Sequence, residues 1–280
     1  MSPNRRFRLV AIDLDGTLLT STRSILDENN RALTACVDAG VEVAIITGRR
    51  LPSARLYVDQ LPIEPFLVTN SGAIINRGRD GQLLRRCLLP RDIAEAVLAI
   101  ASRVGVEPVV HDGPEGEGRL ILREDAKELP HVGRYLNQTK PPPIWVGAID
   151  LERDPVQIGF ASGLPEIREL ADCVSAELST GVSVIKTEYP DEDLALLDVL
   201  APDANKSSGL RFLSGLTGVP MSATLAIGDN WNDLDMLKAA GKGVIMANAV
   251  DALKQEGFDE TKSNDDAGVA EAIDRYVLEG

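Results

Sequence analysis

Leu9-Val-Ala-Ile12 runs without a break into Asp13-Leu-Asp-Gly16, and this join constrains the chain more than any other stretch. A short apolar, β-branched run reads as a strand buried on both faces, the pattern of a parallel sheet. Its carboxylates therefore fall where the strand stops. Because strand side chains repeat every two residues, Asp13 and Asp15 leave the same face while Leu14 packs on the other. In an open parallel sheet that carboxyl end is where ligands bind. Two carboxylates this close resist joint ionisation and require a cation, a shared proton or exposure to water. A solvated structural turn of the same composition is the plain alternative. It does not explain the buried strand in front, or the matching parts supplied by three later segments.

The spacing of apolar residues places a helix over 27–39, with Ala32, Leu33, Cys36 and Val37 on one side and Gly40 just past its end. A second buried strand over 41–46 ends in Thr47-Gly-Arg49, and Pro52 fits the first turn of the next helix. A third strand over 66–68 precedes Asn70-Ser-Gly72, and 73–87 reads as a hairpin around Arg77-Gly-Arg-Asp-Gly81. From about Leu84 the pattern changes. Helices expected over 93–104, 125–136 and 166–176 alternate with strands over 107–110, 120–122, 156–160 and 182–185. The loops Asp112-Gly-Pro-Glu-Gly-Glu-Gly118 and Lys140-Pro-Pro-Pro143 interrupt them. Near Ala201 the first pattern returns, with helix 206–216, strand 224–227, helix 233–240, strand 243–246 and helix 267–278. The expected class is α/β: a doubly wound, Rossmann-like parallel sheet core over 1–83 and 200–280, with an inserted α+β domain over 84–199.

Lys and Arg number 29 against 43 Asp and Glu, a net charge of −14. Such a surface repels nucleic acid and anionic membrane, and a phosphorylated ligand would need local cations. Cys36, Cys87 and Cys173 form no Cys-Xaa-Xaa-Cys pair and read as buried thiols in a reducing, cytoplasmic setting. Asp13 stops the first apolar run before a signal-peptide core can form, and no apolar run approaches the ~18 residues of a membrane span.

Thr47-Gly48 should also reach the carboxyl edge of the sheet. A hydroxyl with free backbone N–H groups at a strand-to-helix turn is an anion site, although a helix-capping threonine has the same look. Lys206 opens the helix expected over 206–216, where a cation opposes the helix dipole by roughly 0.3–1 kcal/mol. It points to a nearby anion unless solvent screens it. Gly228-Asp-Asn-Trp-Asn-Asp233 follows the apolar strand Leu225-Ala-Ile227, so Asp229 also lies at a strand end. Asn232 or Asp233 can cap the next helix. Capping does not account for Asp229 and Asp233 together, beside a strand that already carries two carboxylates. Acids converging on one edge require a divalent ion. Mg²⁺ suits them, since it prefers hard oxygen ligands and fills its shell with water and phosphate oxygens. Two histidines and isolated cysteines disfavour zinc. His111 and His131 have no partner spacing, and read as structural or as facing a cleft. A Gly-Xaa-Ser-Xaa-Gly elbow and a Gly-rich loop ending in Lys-Ser/Thr are both absent.

Asp13-Leu-Asp-Gly-Thr-Leu-Leu19, Thr47-Gly48, Lys206 and Gly228-Asp-Asn-Trp-Asn-Asp233, in this order, resemble the four motifs of the haloacid dehalogenase (HAD) superfamily, whose members are mostly phosphohydrolases. The whole is similar to its Cof-type branch, subfamily IIB. Only 31 residues separate Asp15 from Thr47, so the large insert falls between Thr47 and Lys206. In that family this position marks a type 2 cap and argues against the sugar-phosphate mutases. The resemblance implies a Mg²⁺-dependent phosphatase with Asp13 as nucleophile and Asp15 as acid and base. It implies phosphoryl binding by Thr47, Gly48, Lys206 and Asn232, and a metal held by Asp13, the Asp15 backbone carbonyl and Asp229. Asp233 and Arg49 have supporting roles, Arg49 toward the cap or substrate, although an ordinary surface arginine is the simpler account of Arg49. The segment 261–268 is similar to a family loop near the site, but a polar surface loop explains Asn264 and Asp265 equally well. The implied substrate is a small phosphorylated metabolite, with sugar phosphates, a flavin precursor phosphate and pyridoxal phosphate undivided by the sequence, in a monomer or homodimer. Two alternatives use the same residues: a phosphotransferase or mutase, and a regulatory module phosphorylated on Asp13 without turnover. An intact Asp15 stands against the second.

Overall fold

Leu9–Ile12 (β1) is hydrogen-bonded on both sides by parallel strands, and all four of its residues are buried. The computed structural model describes residues 6–79, 81–112, 118–136 and 141–279. After β1 come α1 (Asp27–Asp38), β2 (Glu42–Ile46), α2 (Leu51–Val58), β3 (Phe66–Thr69), β4 (Ile74–Arg77) and β5 (Gln82–Arg86). The middle of the chain holds α3 (Arg91–Val104), β6 (Pro108–Asp112), β7 (Arg119–Arg123), α4 (Pro130–Leu136), β8 (Ile144–Val146), β9 (Gln157–Ser162), α5 (Leu164–Leu178), β10 (Ser183–Tyr189) and β11 (Leu194–Leu200). The last third holds α6 (Lys206–Thr217), β12 (Thr224–Gly228), α7 (Leu234–Ala239), β13 (Lys242–Ile245), α8 (Asp251–Lys254), β14 (Asp259–Glu260) and α9 (Gly268–Ile273).

The chain divides into two compact units, Met1–Arg49 with Ala54–Arg85 and Asn205–Gly280, and Arg50–Ser53 with Arg86–Ala204. The first is built on an eight-stranded sheet of order β14-β13-β12-β1-β2-β3-β4-β5. Strands from β14 to β3 run parallel, and β4 turns back antiparallel on β3. Leu9 and Ala11 pack with Leu210 and Leu213 of α6 and with Met236 and Leu237 of α7. The alternate residues Val10 and Ile12 are fully buried as well, so the strand is covered on both faces, as its apolar run requires. The chain leaves β1 for β2 on one side and returns later to β12 on the other. This is a topological switch point, and it opens a crevice at the carboxyl end of β1.

The second unit carries a six-stranded mixed sheet of order β10-β11-β9-β6-β7-β8. Helices α3 and α5 bury Val97, Ile100, Ile167 and Leu170 on one face, against Ile158, Phe160 and Leu197. On the other face Val132 of α4 packs with Val109, Leu120 and Leu122. His111 Nε2 lies 2.9 Å from the Tyr135 hydroxyl, a satisfied structural histidine. No helix among the described residues is long and apolar enough to cross a membrane.

Several local expectations need correction. The helix expected over 125–136 is two pieces, a 3₁₀ turn at Glu124–Glu128 and α4, because Leu129 stands before Pro130 and is extended at φ −78° and ψ 120°. Strands β8, β11 and β14 were not expected. In β11 the run Leu194-Ala-Leu-Leu-Asp-Val-Leu200 carries no β-branched residue except Val199, so composition hides a strand that only pairing with β9 and β10 creates. Cys36 is buried, whereas Cys87 and Cys173 are partly exposed, and none of the three is in a disulfide. The loop expected at 112–118 falls largely on 113–117, outside the described residues, as does Lys140 of the proline loop.

Gly209 fixes how closely α6 approaches β3. A Cβ there would stand 2.9 Å from Val68 Cγ1, closer than carbon atoms pack. Gly209→Leu should therefore lower stability by about 1–3 kcal/mol, as overpacking does, despite leucine's better helix propensity. Urea unfolding checks this, and an unchanged midpoint would contradict the close approach.

Candidate active site

Strand register brings the distant motifs together before any side chain is considered. Ile12 of β1 pairs with Ile227 of β12 on one side and Ile45 of β2 on the other. Asp13, Asp229 and Thr47 therefore leave adjacent strands within one or two residues of the same level. All three are buried, and Asp13 is only 4% exposed.

Lys206 joins them from the first position of α6. Asn205 caps that helix by accepting the Ser208 N–H at 2.8 Å, with the reciprocal Ser208 bond completing a capping box. Lys206 is 3% exposed, and its ammonium lies 2.6 Å from Asp13 Oδ1 and 2.6 Å from Asp233 Oδ1. These carboxylates are the anions that its place at a helix start required. The other oxygen of Asp233 accepts the backbone N–H groups of Asp229 and Asn230, both at 3.1 Å. Asp233 thus orients Lys206 and the Asp229 turn together. Asp233 stands at the N-cap position of α7 but makes no side-chain capping bond to it; the 3₁₀ turn Trp231–Asp233 before that helix is closed by a capping box, in which the Asn230 side chain accepts the Trp231 N–H at 2.7 Å and Asp233 accepts the Asn230 N–H. Asn232 Oδ1 lies 3.5 Å from the ammonium.

Asp229 accepts a 2.7 Å bond from the Thr17 hydroxyl. Gly16, at φ +75°, passes so close that a Cβ would fall 2.3 Å from Asp229 Oδ2. Thr17 was missed in the sequence, although Asp13-Leu-Asp-Gly-Thr17 carries it. Asn248 donates to the Gly16 carbonyl at 2.8 Å, and Asn264 to that of Leu19 at 2.8 Å. Asp265 accepts the Ser21 N–H at 2.8 Å. The 261–268 loop therefore braces the loop that follows Asp13 and Asp15.

Asp13, Asp229 and Asp233 bring oxygens within 4.8 Å of one another. Burial pushes the Asp13 carboxyl well above its ordinary range; Lys206 opposes this, and Asp233, Asp229 and Asp15 add to it. Burial likewise raises Asp229 to about 7, against the Thr17 bond. Burial also works against a charged Lys206, yet Asp13 and Asp233 outweigh it and keep the ammonium charged. With all three carboxylates ionised, the single ammonium leaves an excess of two negative charges, which one divalent cation would balance. One oxygen each on Asp13 and Asp229 has no protein partner among the described residues, and both are hard ligands. The donor set fits such an ion.

Asp15 is arranged differently. Its carboxylate is half-exposed and takes a two-point bond from Arg49, with Nε at 2.6 Å and Nη2 at 2.5 Å. Arg49 also stacks over Tyr57, 4.8 Å from the ring centre. It is more than an ordinary surface arginine, because the fork holds the Asp15 carboxylate in one orientation. Thr47 Oγ1 accepts the Arg49 N–H at 3.1 Å, which leaves the hydroxyl proton to donate elsewhere.

Comparison with known proteins adds the following. A profile of haloacid dehalogenase-like hydrolases matches residues 10–273. The 5-amino-6-(5-phospho-D-ribitylamino)uracil phosphatase YwtE of Bacillus subtilis is 29% identical over 292 residues, spanning 96% of this chain and 98% of its own. The HMP-PP phosphatase of Serratia proteamaculans is 29% identical over 252 residues, spanning 89% and 86%. The solved structure of a HAD subclass IIB sugar phosphatase superposes with a TM-score of 0.72 at 21% identity, covering 96% of this chain and 98% of its own.

Removing the buried cation exposes what it balances. Lys206→Met should lose roughly 3–5 kcal/mol in metal-free buffer, as when one partner of a buried pair is deleted. A carboxyl whose folded pKa lies above its unfolded value is favoured at low pH and disfavoured as pH rises, and loss of Lys206 raises Asp13 further. The deficit should therefore be larger at pH 8 than at pH 5 in paired urea titrations. A deficit independent of pH would contradict this balance.

Proposed function

This chain is a member of the haloacid dehalogenase-like hydrolase family, and we propose that it is a Mg²⁺-dependent phosphatase acting on a small phosphorylated metabolite through an aspartyl phosphate at Asp13. The observation that carries this reading is the buried Lys206 ammonium between Asp13 and Asp233, with Asp229 beside them. A lone structural ion pair would not need a third acid. The relatives named as phosphatases of a ribitylaminouracil phosphate and of HMP-PP support a small phosphorylated substrate.

In this reading Lys206 holds Asp13 with one oxygen fixed, so the carboxylate meets phosphorus in a defined orientation. Asp13 attacks phosphorus, the bond to the leaving oxygen breaks, and Asp15 supplies the proton that oxygen takes up. Asp15 then takes a proton from water as that water attacks phosphorus and releases Asp13 and orthophosphate. The Arg49 fork keeps Asp15 in place through both halves. Thr47 and the Gly48 backbone donate to phosphoryl oxygens, and Lys206, with Asn232 beside it, neutralises their charge. Mg²⁺, held by Asp13, Asp229 and the Asp15 backbone carbonyl, would supply charge neutralisation at the phosphoryl group. Uncatalysed phosphate-monoester hydrolysis needs acceleration on the order of 10²¹, more than one carboxylate supplies. The inserted unit is a cap that selects the organic part of the substrate. Three cysteines outside any disulfide support a cytoplasmic setting.

Asp13→Asn should lower release of orthophosphate from an aryl phosphate by more than about 10³-fold while the protein keeps its fold by circular dichroism. Unchanged turnover would remove Asp13 from the reaction. Transfer to an added sugar with no free orthophosphate would indicate a phosphotransferase instead.

A further inference from the structure

Beyond the end of β3, three consecutive residues adopt the left-handed backbone region: Asn70 at φ 47°, Ser71 at φ 52° and Gly72 at φ 109°. Two of them are explained locally. Gly72 passes the Asn205 carbonyl so closely that a Cβ would stand 2.3 Å from it. Asparagine enters this region more readily than most residues. Serine has neither reason, and holding a non-glycine residue there costs on the order of 1 kcal/mol or more. A glycine would fit the Ser71 backbone without strain, so the backbone does not require a hydroxyl here.

The turn is nevertheless held firmly. The Asn70 N–H donates to the Arg49 carbonyl at 2.8 Å, and the Ser71 N–H to the Thr47 carbonyl at 3.0 Å. Ser71 is therefore tied to the Thr47-Gly48-Arg49 turn on one side, while Gly72 abuts the cap of the helix that carries Lys206. Ser71 is only 3% exposed, and its Oγ is the atom nearest the open side of Gly48, 3.4 Å from where a Cβ would be. No hydrogen bond from that hydroxyl to a described residue is present, and the oxygen keeps some contact with solvent although the residue as a whole is buried. A hydroxyl held beside the Gly48 turn with its proton taken up by no described protein group is available to donate to a ligand oxygen placed there.

We infer that Ser71 is a phosphate-binding residue whose hydroxyl donates to an oxygen of a tetrahedral phosphoryl group, alongside the Thr47 hydroxyl and the Gly48 backbone. The identity of the anion rests on the phosphatase reading; the unpartnered hydroxyl does not. Ser71 adds a neutral donor opposite the charged Lys206, so the anion is gripped from two sides of the turn. Nothing in the Asn70-Ser-Gly72 sequence marks it, because Asn, Ser and Gly are ordinary turn residues.

Calorimetric titration with orthophosphate in the presence of Mg²⁺ tests this without turnover. The variants are Ser71→Ala, which keeps a Cβ in the strained region, and Ser71→Gly, which relieves the strain. Both should bind orthophosphate about tenfold more weakly than the unmodified protein, the effect of losing a hydrogen bond to a charged group, and Ser71→Gly should melt no lower than wild type. Unchanged affinity in either folded variant would overturn the assignment. So would weak binding by Ser71→Ala alone, which would assign the effect to backbone geometry, and so would failure of the unmodified protein to bind orthophosphate. Turnover by Asp13→Asn is read separately, so the phosphatase reading can fail while Ser71 is upheld.

Discussion

An ammonium taken out of water must find anions, and Lys206 finds Asp13 and Asp233. Everything around the site serves that contact. The lysine stands at a helix start, where the dipole disfavours a cation, so its position is stable only because two carboxylates from distant segments meet it. Those segments are aligned by backbone pairing of β1 with β12, and α6 is set against β3 by the absence of a side chain at Gly209. Asp233 then spends its second oxygen on the Asp229 and Asn230 amides. One residue thus fixes both the cation and the neighbouring acid.

The remaining acidity follows from the same burial. A single ammonium does not neutralise three carboxylates in a space this dry, and Asp13 and Asp229 respond by holding protons more tightly. A divalent cation would relieve the excess and displace those protons. Asp15, by contrast, lies toward solvent and is paired with Arg49. The division suits a reaction in which one carboxylate must be a fixed nucleophile and another must exchange protons with water.

The parts of this arrangement that were legible in the sequence are those where an apolar strand runs into acids. Asp13, Asp15 and Asp229 each announce themselves that way, and alternating strands and helices give the doubly wound sheet that makes them converge. Lys206 was legible through its awkward position on a helix. Thr17 was less visible, since a threonine after Asp-Gly reads as part of the turn until Asp229 is seen beside it. Arg49 looked like any surface arginine because its partner is 34 residues away in sequence. Ser71 left no trace at all, since backbone angle and a missing partner are not written in residue type. In the second unit β11 depended on its neighbours for its conformation, and a leucine-rich run has no period that reveals such dependence.

The most direct test is a crystal structure of the protein soaked with Mn²⁺ in place of Mg²⁺, with the ion located by its anomalous scattering. The account predicts one ion at the end of β1, bound to carboxylate oxygens of both Asp13 and Asp229, with Lys206 still joining Asp13 to Asp233. An ion located elsewhere, or one held by the Asp15 side chain after it has left Arg49, would contradict it.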